Sequence, residues 1–226
     1  MTWIDLGNPL PKEFPERYDP IRWETGEIID LPYPQETIAQ PFIDVINSRL
    51  SLRHFGVVDD SQLGEFLWHA CRTRGIGSSE LGFELEHRAS PSAGAIHPIH
   101  VVIKRSLDVS WWLYQPQTHN LAELKEGSTK LIGLDEHAQE VLKGNNAIRI
   151  LFVAEPGKTL GKYQNGCSLI WRDAGVLLAV MALTATAQGL NFCPLGITGE
   201  PWASNLAQKG KLAGVGLAFL GSAART

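Results

Sequence analysis

Three stretches of the chain carry residue types and spacings suited to holding an anion or a flat polar ligand. In the first, Ser48 to Phe55, Arg49 and Arg53 stand four apart with Ser51 between them. Planar guanidinium groups pair bidentately with phosphate oxygens and a serine hydroxyl can donate one more bond, so this trio suits a phosphomonoester. The alternative use is a pair of solvated arginines at a helix C-terminus, where the dipole favours cations. In the second stretch, Arg88 to Pro98, the run Pro91, Ser92, Ala93, Gly94 and Ala95 has side chains small enough for a ring to approach the backbone. Ser90, Ser92 and the amides could bond the edge of such a ring; read alone, the stretch is a Gly/Ser/Pro loop. His97 and His100 follow without a third ligand nearby, so no metal is expected. The third stretch, Gly189 to Gly199, reads as a turn around Leu195 and Gly196 that aims backbone N–H groups at an acceptor, or as a helix C-cap followed by a loop.

The elements that must position these stretches follow from periodicity. Residues 1–36 contain Pro9, Pro11, Pro15, Pro20, Pro32 and Pro34 and no sustained apolar period, which predicts an extended arm whose aromatic residues dock on a body spanning residues 37–226. Helical spacing of Ile38, Phe42, Val45 and Ile46 predicts a helix over 36–48. A second helix starts at Asp59-Asp60-Ser61, where short polar side chains can cap it, and carries Leu63, Phe66, Leu67 and Ala70. Residues 100–104 and 111–115 are β-rich and joined by Arg105 to Asp108, the pattern of a hairpin. A helix through Leu121, Leu124 and Leu131 is expected next, then one capped by Asp135 that ends near Leu142. Ala147 to Ala154 is almost wholly apolar and reads as a central strand covered on both faces. Ser168 to Gln188 makes the longest helix, apolar around most of its circumference, and Val215 to Leu220 a last strand. The fold class is α+β, a mostly antiparallel or mixed sheet flanked by helices.

Composition narrows the function. The 226 residues are 44% hydrophobic and 19% charged, which is ordinary for a globular enzyme. A net charge of −4 with no massed Lys or Arg argues against a nucleic-acid partner. Cys71, Cys167 and Cys193 lack a CxxC or Cys/His pairing and read as buried, reduced thiols of a cytoplasmic protein. The N-terminal residues lack a signal-peptide pattern, and the apolar run Ala174 to Ala187 is shorter than a membrane span.

Taken together, the three stretches resemble the nitroreductase superfamily over residues 40–221, and within it the SagB-type (McbC-like) thiazole/oxazole-forming peptide dehydrogenases. The resemblance implies FMN as cofactor, with Arg49, Ser51 and Arg53 matching the Arg-x-Ser-x-Arg phosphate signature. The branch-specific loop Arg-x-x-Pro-Ser-Ala-Gly-Ala is met by Arg88 and Pro91 to Ala95. Trp112-Leu113-Tyr114 and His119-Asn120-Leu121 match part of the pattern that follows, without its first glycine and second tyrosine. The Gly189 to Gly196 turn is similar to the family's, which implies that the Leu195–Gly196 backbone approaches the flavin. Arg225 corresponds to a basic residue that the family places after its last strand.

The resemblance also implies roles for the adjacent pair Lys162-Tyr163, which azoline-oxidising members need for substrate oxidation; the following residues, Gln164 to Leu169, depart from the usual arginine-containing continuation. Aromatisation of an azoline removes a hydride and a proton, so Tyr163 is expected to act as the base beside the charge of Lys162, and O₂ to reoxidise the flavin. Expected partners are a second copy of the chain, with the long helix in a homodimer core, a peptide or small-molecule substrate, and a cyclodehydratase. Two other readings are an NAD(P)H-dependent nitro- or quinone-reductase and a flavin-free scaffold subunit of a peptide-modifying complex.

Overall fold

The computed structural model describes residues 2–35, 40–208 and 210–223. The first half of the chain forms β1 (Leu10–Pro11), β2 (Thr25–Asp30), α1 (Phe42–Ser48), α2 (Asp60–Cys71), β3 (Gly75–Gly77), β4 (Leu85–His87), β5 (Ile99–Lys104), β6 (Trp112–Gln115) and β7 (Asn120–Leu124). The second half forms α3 (Gly127–Lys130), α4 (Ile132–Val141), β8 (Ile148–Ala154), α5 (Pro156–Lys162), β9 (Tyr163–Gln164), α6 (Cys167–Ala187), β10 (Leu190–Pro194) and β11 (Ala213–Ser222). Seven strands make one sheet in the order β10-β11-β8-β5-β6-β7-β2, and every neighbouring pair is antiparallel.

Strand β8 lies near the middle of that sheet, with all seven residues buried. Its alternating side chains feed two cores, as a doubly covered strand requires. Ile148, Ile150 and Phe152 join α2 and α6 on one face, through Phe66, Leu67, Leu177 and Met181. Leu151 and Val153 meet Leu134 and Ala138 of α4 on the other. On that second face Arg149 is buried and answered by Asp135, 2.7 Å from its Nε, and by the Ala147 carbonyl at 2.6 Å.

Local signals place several elements as the sequence suggests. Asp59 caps α2 in a reciprocal pair with Gln62: the Gln62 N–H donates to Asp59 at 2.8 Å, and the Asp59 N–H to the Gln62 side chain at 3.3 Å. Helix α1 starts at Phe42 behind Pro41; Ile38 lies outside the described residues.

Three expectations are corrected. Leu121 and Leu124 belong to strand β7, because the turn closed by the His119 N–H on the Gln115 carbonyl, with His119 at φ 54°, reverses the chain into pairing with β6. A spacing of three, which reads as helical, sets these leucines on opposite faces of the sheet, one in each core. Asp135 does not cap α4, which begins at Ile132; its carboxylate is spent on Arg149 and Lys104. Cys167 is exposed as the first residue of α6, whereas Cys71 and Cys193 are buried and all three thiols are free.

Part of the N-terminal segment enters the sheet: β2 pairs with β7 as its outermost strand. Among the described helices, α6 alone is long and apolar enough to cross a membrane, and in this fold it lies against β10, α2, β11 and β5. Its outer side leaves Trp171, Gly175 and Ala179 exposed.

The Arg149–Asp135 pair should behave as a buried one. Asp135→Ala leaves the guanidinium buried without its carboxylate, and should lower unfolding stability by about 3 kcal/mol in urea titration with an unchanged m-value. A loss below about 1 kcal/mol would mean that the pair is solvated.

Candidate functional site

The Pro91 to His97 loop enters β5 through a single 3₁₀ turn at Ala93–Ala95, and its backbone is unusual. Gly94 has φ 67°, a value glycine adopts without strain, but Ala95 and His97 also sit at positive φ, 58° and 46°. Non-glycine residues hold such angles only where their surroundings over-determine them. The surroundings here are Asp173, a buried carboxylate in the first half of α6. The Ser92 hydroxyl donates to Asp173 Oδ2 at 2.6 Å and the Ala93 N–H to Oδ1 at 3.3 Å, while the His97 N–H donates to Ser92 Oγ at 2.9 Å. Burial pushes the Asp173 carboxyl above the usual aspartate range, and the bonds from Ser92 and Ala93 oppose that shift. The Ser92 hydroxyl, expected to face a ligand, is therefore committed inward, and the loop's outer surface is its backbone. His97 is buried beside Arg88, and both effects push its pKa down to about 4, so it is neutral at pH 7.

Lys162 and Tyr163 meet this loop. A Cβ added at Gly94 would stand 2.8 Å from Lys162 Nζ and 2.9 Å from the Tyr163 hydroxyl, so both side chains reach the loop where it has no side chain of its own. Lys162 Nζ lies 5.6 Å from the centre of the Tyr163 ring, at its face. The pair ends the short helix α5 and is held from outside by the arm. Pro11 and Leu10 pair with Tyr163 and Gln164, the Lys12 N–H donates to the Lys162 carbonyl at 2.9 Å, and the Glu16 N–H to that of Gly161 at 2.8 Å. Gly157 and Gly161 lie so close to Tyr18 and the Glu16 carbonyl that any side chain there would displace the arm.

Arg49, Ser51 and Arg53 run along the exposed surface after α1, and the Arg53 guanidinium touches only the Ser51 carbonyl, at 3.5 Å. Among the described residues neither arginine has an ion-pair partner, so their donors are free for an external anion. This stretch abuts the third one. Asn191 Nδ2 donates to the His54 carbonyl at 2.6 Å, Gly56 bridges to Ser222, and the charge of Arg53 is felt at Cys193. The third stretch is less of a turn than its glycines and proline suggest: Leu190 to Pro194 is strand β10, an edge of the sheet, and only Leu195 onward loops away. The Leu195 N–H is spent on the Leu217 carbonyl at 2.8 Å. Gly196 has open space where a Cβ would stand, and its backbone can be approached. Arg225 lies outside the described residues.

The site residues thus fall into two groups within one chain. The first stretch reaches the β10 edge through Arg53 and His54, and Leu195 and Gly196 follow that strand, whereas Pro91 to Gly94 gather with Lys162 and Tyr163 at the start of β5, three strand positions, roughly 14 Å, across the sheet. The donors of the first group fit a phosphate and the bare backbone of the second fits a flat ring, as flavin mononucleotide requires. Sequence reasoning missed Asp173 and the arm's strand. The signal for Asp173 was available, since a lone acid within an otherwise apolar helix needs a buried partner.

The family model described as "Nitroreductase family" matches residues 46–208, most of the chain. The chain belongs to that family. Among solved structures it is similar to one titled as a nitroreductase of Ralstonia eutropha JMP134, with 21% identity over 97% of this chain and 99% of that one, at a TM-score of 0.63. It is also similar to a chain of the Escherichia coli microcin synthetase McbBCD complex with truncated pro-MccB17 bound, at 18% identity, 89% and 80% coverage and TM-score 0.58. A nitroreductase from Desulfovibrio desulfuricans in complex with FMN matches at 17% identity, 83% and 88% coverage and TM-score 0.53. At these identities the structures show a shared nitroreductase-like fold. A search of curated proteins gave no match.

The tie between Asp173 and Ser92 can be tested with a double-mutant cycle. Asp173→Ala and Ser92→Ala should each cost about 1–3 kcal/mol of stability, and the double variant little more than the larger single loss. Strict additivity would mean that the two side chains do not act together.

Proposed function

We propose that this nitroreductase-family chain is an FMN-dependent dehydrogenase that oxidises azoline rings in a peptide to azoles. FMN is the cofactor; when bound it supplies the two-electron acceptor, and O₂ restores it. Arg49, Ser51 and Arg53 hold its phosphate through charge-assisted hydrogen bonds, and the Gly196 backbone and the bare surface of Pro91 to Gly94 border its ring. Because these groups lie apart in one chain, the flavin is shared between two copies, with the exposed side of α6 in a homodimer core.

The observation that carries the azoline reading is the convergence of Lys162 and Tyr163 on Gly94, against the ring-binding loop. An azoline becomes an azole by losing one hydride and one proton; Tyr163 Oη accepts the ring proton as its own hydroxyl proton passes to solvent, with the Lys162 side chain beside it. The arm seats the pair by strand pairing. The similar E. coli chain belongs to a microcin synthetase complex with truncated pro-MccB17 bound, which supports a substrate of that kind and a partner protein, taken here to be a cyclodehydratase.

Family membership alone also accommodates a nitro- or quinone-reductase fed by NAD(P)H, and a kinetic comparison separates the two. Lys162→Ala and Tyr163→Phe should keep FMN and lose azoline oxidation by about 10²-fold or more. Unimpaired azole formation in both variants would remove the pair from the reaction, whereas no azole formation by the unmodified protein together with rapid NADPH consumption with menadione would favour the reductase. Arg53→Ala should weaken FMN binding by about tenfold or more in a fluorescence titration. An unchanged affinity would place the phosphate elsewhere.

A further inference from the structure

Helix α5 ends at Lys162 and Tyr163, and the residue just before its start is Glu155, whose carboxylate is fully buried. A charge withdrawn from water persists only where hydrogen bonds replace its hydration. Glu155 receives them from two distant parts of the chain. The Ile21 N–H of the arm donates to Oε1 at 2.6 Å, and His100 Nε2 of β5 stands 2.8 Å from Oε2. An ionised carboxylate can only accept, so the imidazole is the donor and Nε2 carries the hydrogen. Burial pushes the His100 pKa down, which keeps the ring neutral at pH 7. Burial works to raise the Glu155 pKa, but the bonds from His100 and Ile21 and the charge of Lys158 outweigh it, and the carboxyl falls below the usual glutamate range.

The backbone of Glu155 makes a third tie. Its N–H donates at 2.8 Å to the carbonyl of Pro98, the residue that follows the Pro91 to His97 loop. The loop and α5 therefore meet twice: at Glu155, where the loop ends, and at Gly94, which Lys162 Nζ and the Tyr163 hydroxyl reach. The arm is fastened to the same helix at both ends. Ile21 holds it at Glu155, while the N–H groups of Lys12 and Glu16 hold it at the carbonyls of Lys162 and Gly161, at 2.9 and 2.8 Å. The helix has seven residues and is about 10 Å long, so a shift of its first turn carries through to its last.

We infer that Glu155 is a positioning residue for the reaction assigned to Lys162 and Tyr163: by tying the arm and β5 to the start of α5, it sets where those two side chains stand against Gly94. The inference rests on the azoline reading. It adds a residue that touches neither substrate nor flavin and acts through the helix and the arm.

The test compares Glu155→Gln with Glu155→Ala in the full-length, FMN-loaded protein. Glutamine can accept from Ile21 and, with His100 in its other tautomer, donate to Nε2, so it keeps both ties, whereas alanine keeps neither. Glu155→Ala should lower kcat for azole formation by about tenfold or more while KM and FMN affinity stay within about twofold, and Glu155→Gln should stay within about threefold of the unmodified kcat. Amide exchange followed by mass spectrometry should quicken about tenfold at Lys12 and Glu16 in Glu155→Ala, far along the chain from the substitution, and stay slow in Glu155→Gln. An unchanged kcat in Glu155→Ala, or a kcat in Glu155→Gln as low as that of Glu155→Ala with the arm amides still protected, would overturn the inference. If Glu155→Ala does not fold, Ile21→Pro, which removes the arm's donor, takes its place with the same expected losses. No azole from the unmodified protein would overturn the azoline reading and this inference with it; equal azole formation by the unmodified protein and Glu155→Ala would overturn the inference alone.

Discussion

One buried carboxylate, that of Asp173, holds together the parts of this molecule that carry its chemistry. It sits on the long helix α6, which packs across the central sheet, and fixes Ser92 and Ala93 eighty residues away in sequence. Without that tie, a loop with Ala95 and His97 at positive φ would relax toward ordinary backbone and lose the flat surface it offers. The tie commits the Ser92 hydroxyl inward, which leaves the backbone as the loop's outer surface. Lys162 and Tyr163 reach that bare spot only because nothing else fills it.

The arm completes this design. Its first strand pairs with Tyr163 and Gln164, its Glu16 and Tyr18 leave no room for side chains at Gly161 and Gly157, and its Trp23 stands beside His100 at 5.2 Å between ring centres. It therefore seats the Lys162–Tyr163 pair beside the Pro91–Gly94 loop. A segment rich in proline suits this, since it holds an extended path at small entropic cost.

What the sequence made legible is what is decided locally. The Asp59 cap and the apolar run of β8 depend on neighbours within a few residues, and each lies where its pattern puts it. Strand β7 reads as a helix because two leucines three residues apart satisfy a helix and also serve the two faces of a doubly covered sheet. Strand β10 was hidden by Gly189 and Pro194, which look like turn residues but merely bracket an edge strand. For the site, the anion-binding trio and the bare loop were visible as residue types. Their separation into two groups was not, because it follows from strand order, which no local pattern records. The Asp173 tie is a long-range fact of packing and appears only in three dimensions.

The central claim, that the phosphate-fitting trio and the ring-fitting loop serve one bound flavin mononucleotide, meets its most direct test in the small molecule that purified protein releases on heating. The account predicts a yellow protein absorbing near 450 nm before denaturation, and a released compound with the mass of FMN at one equivalent per chain. A colourless, folded protein that takes up no added FMN would contradict it.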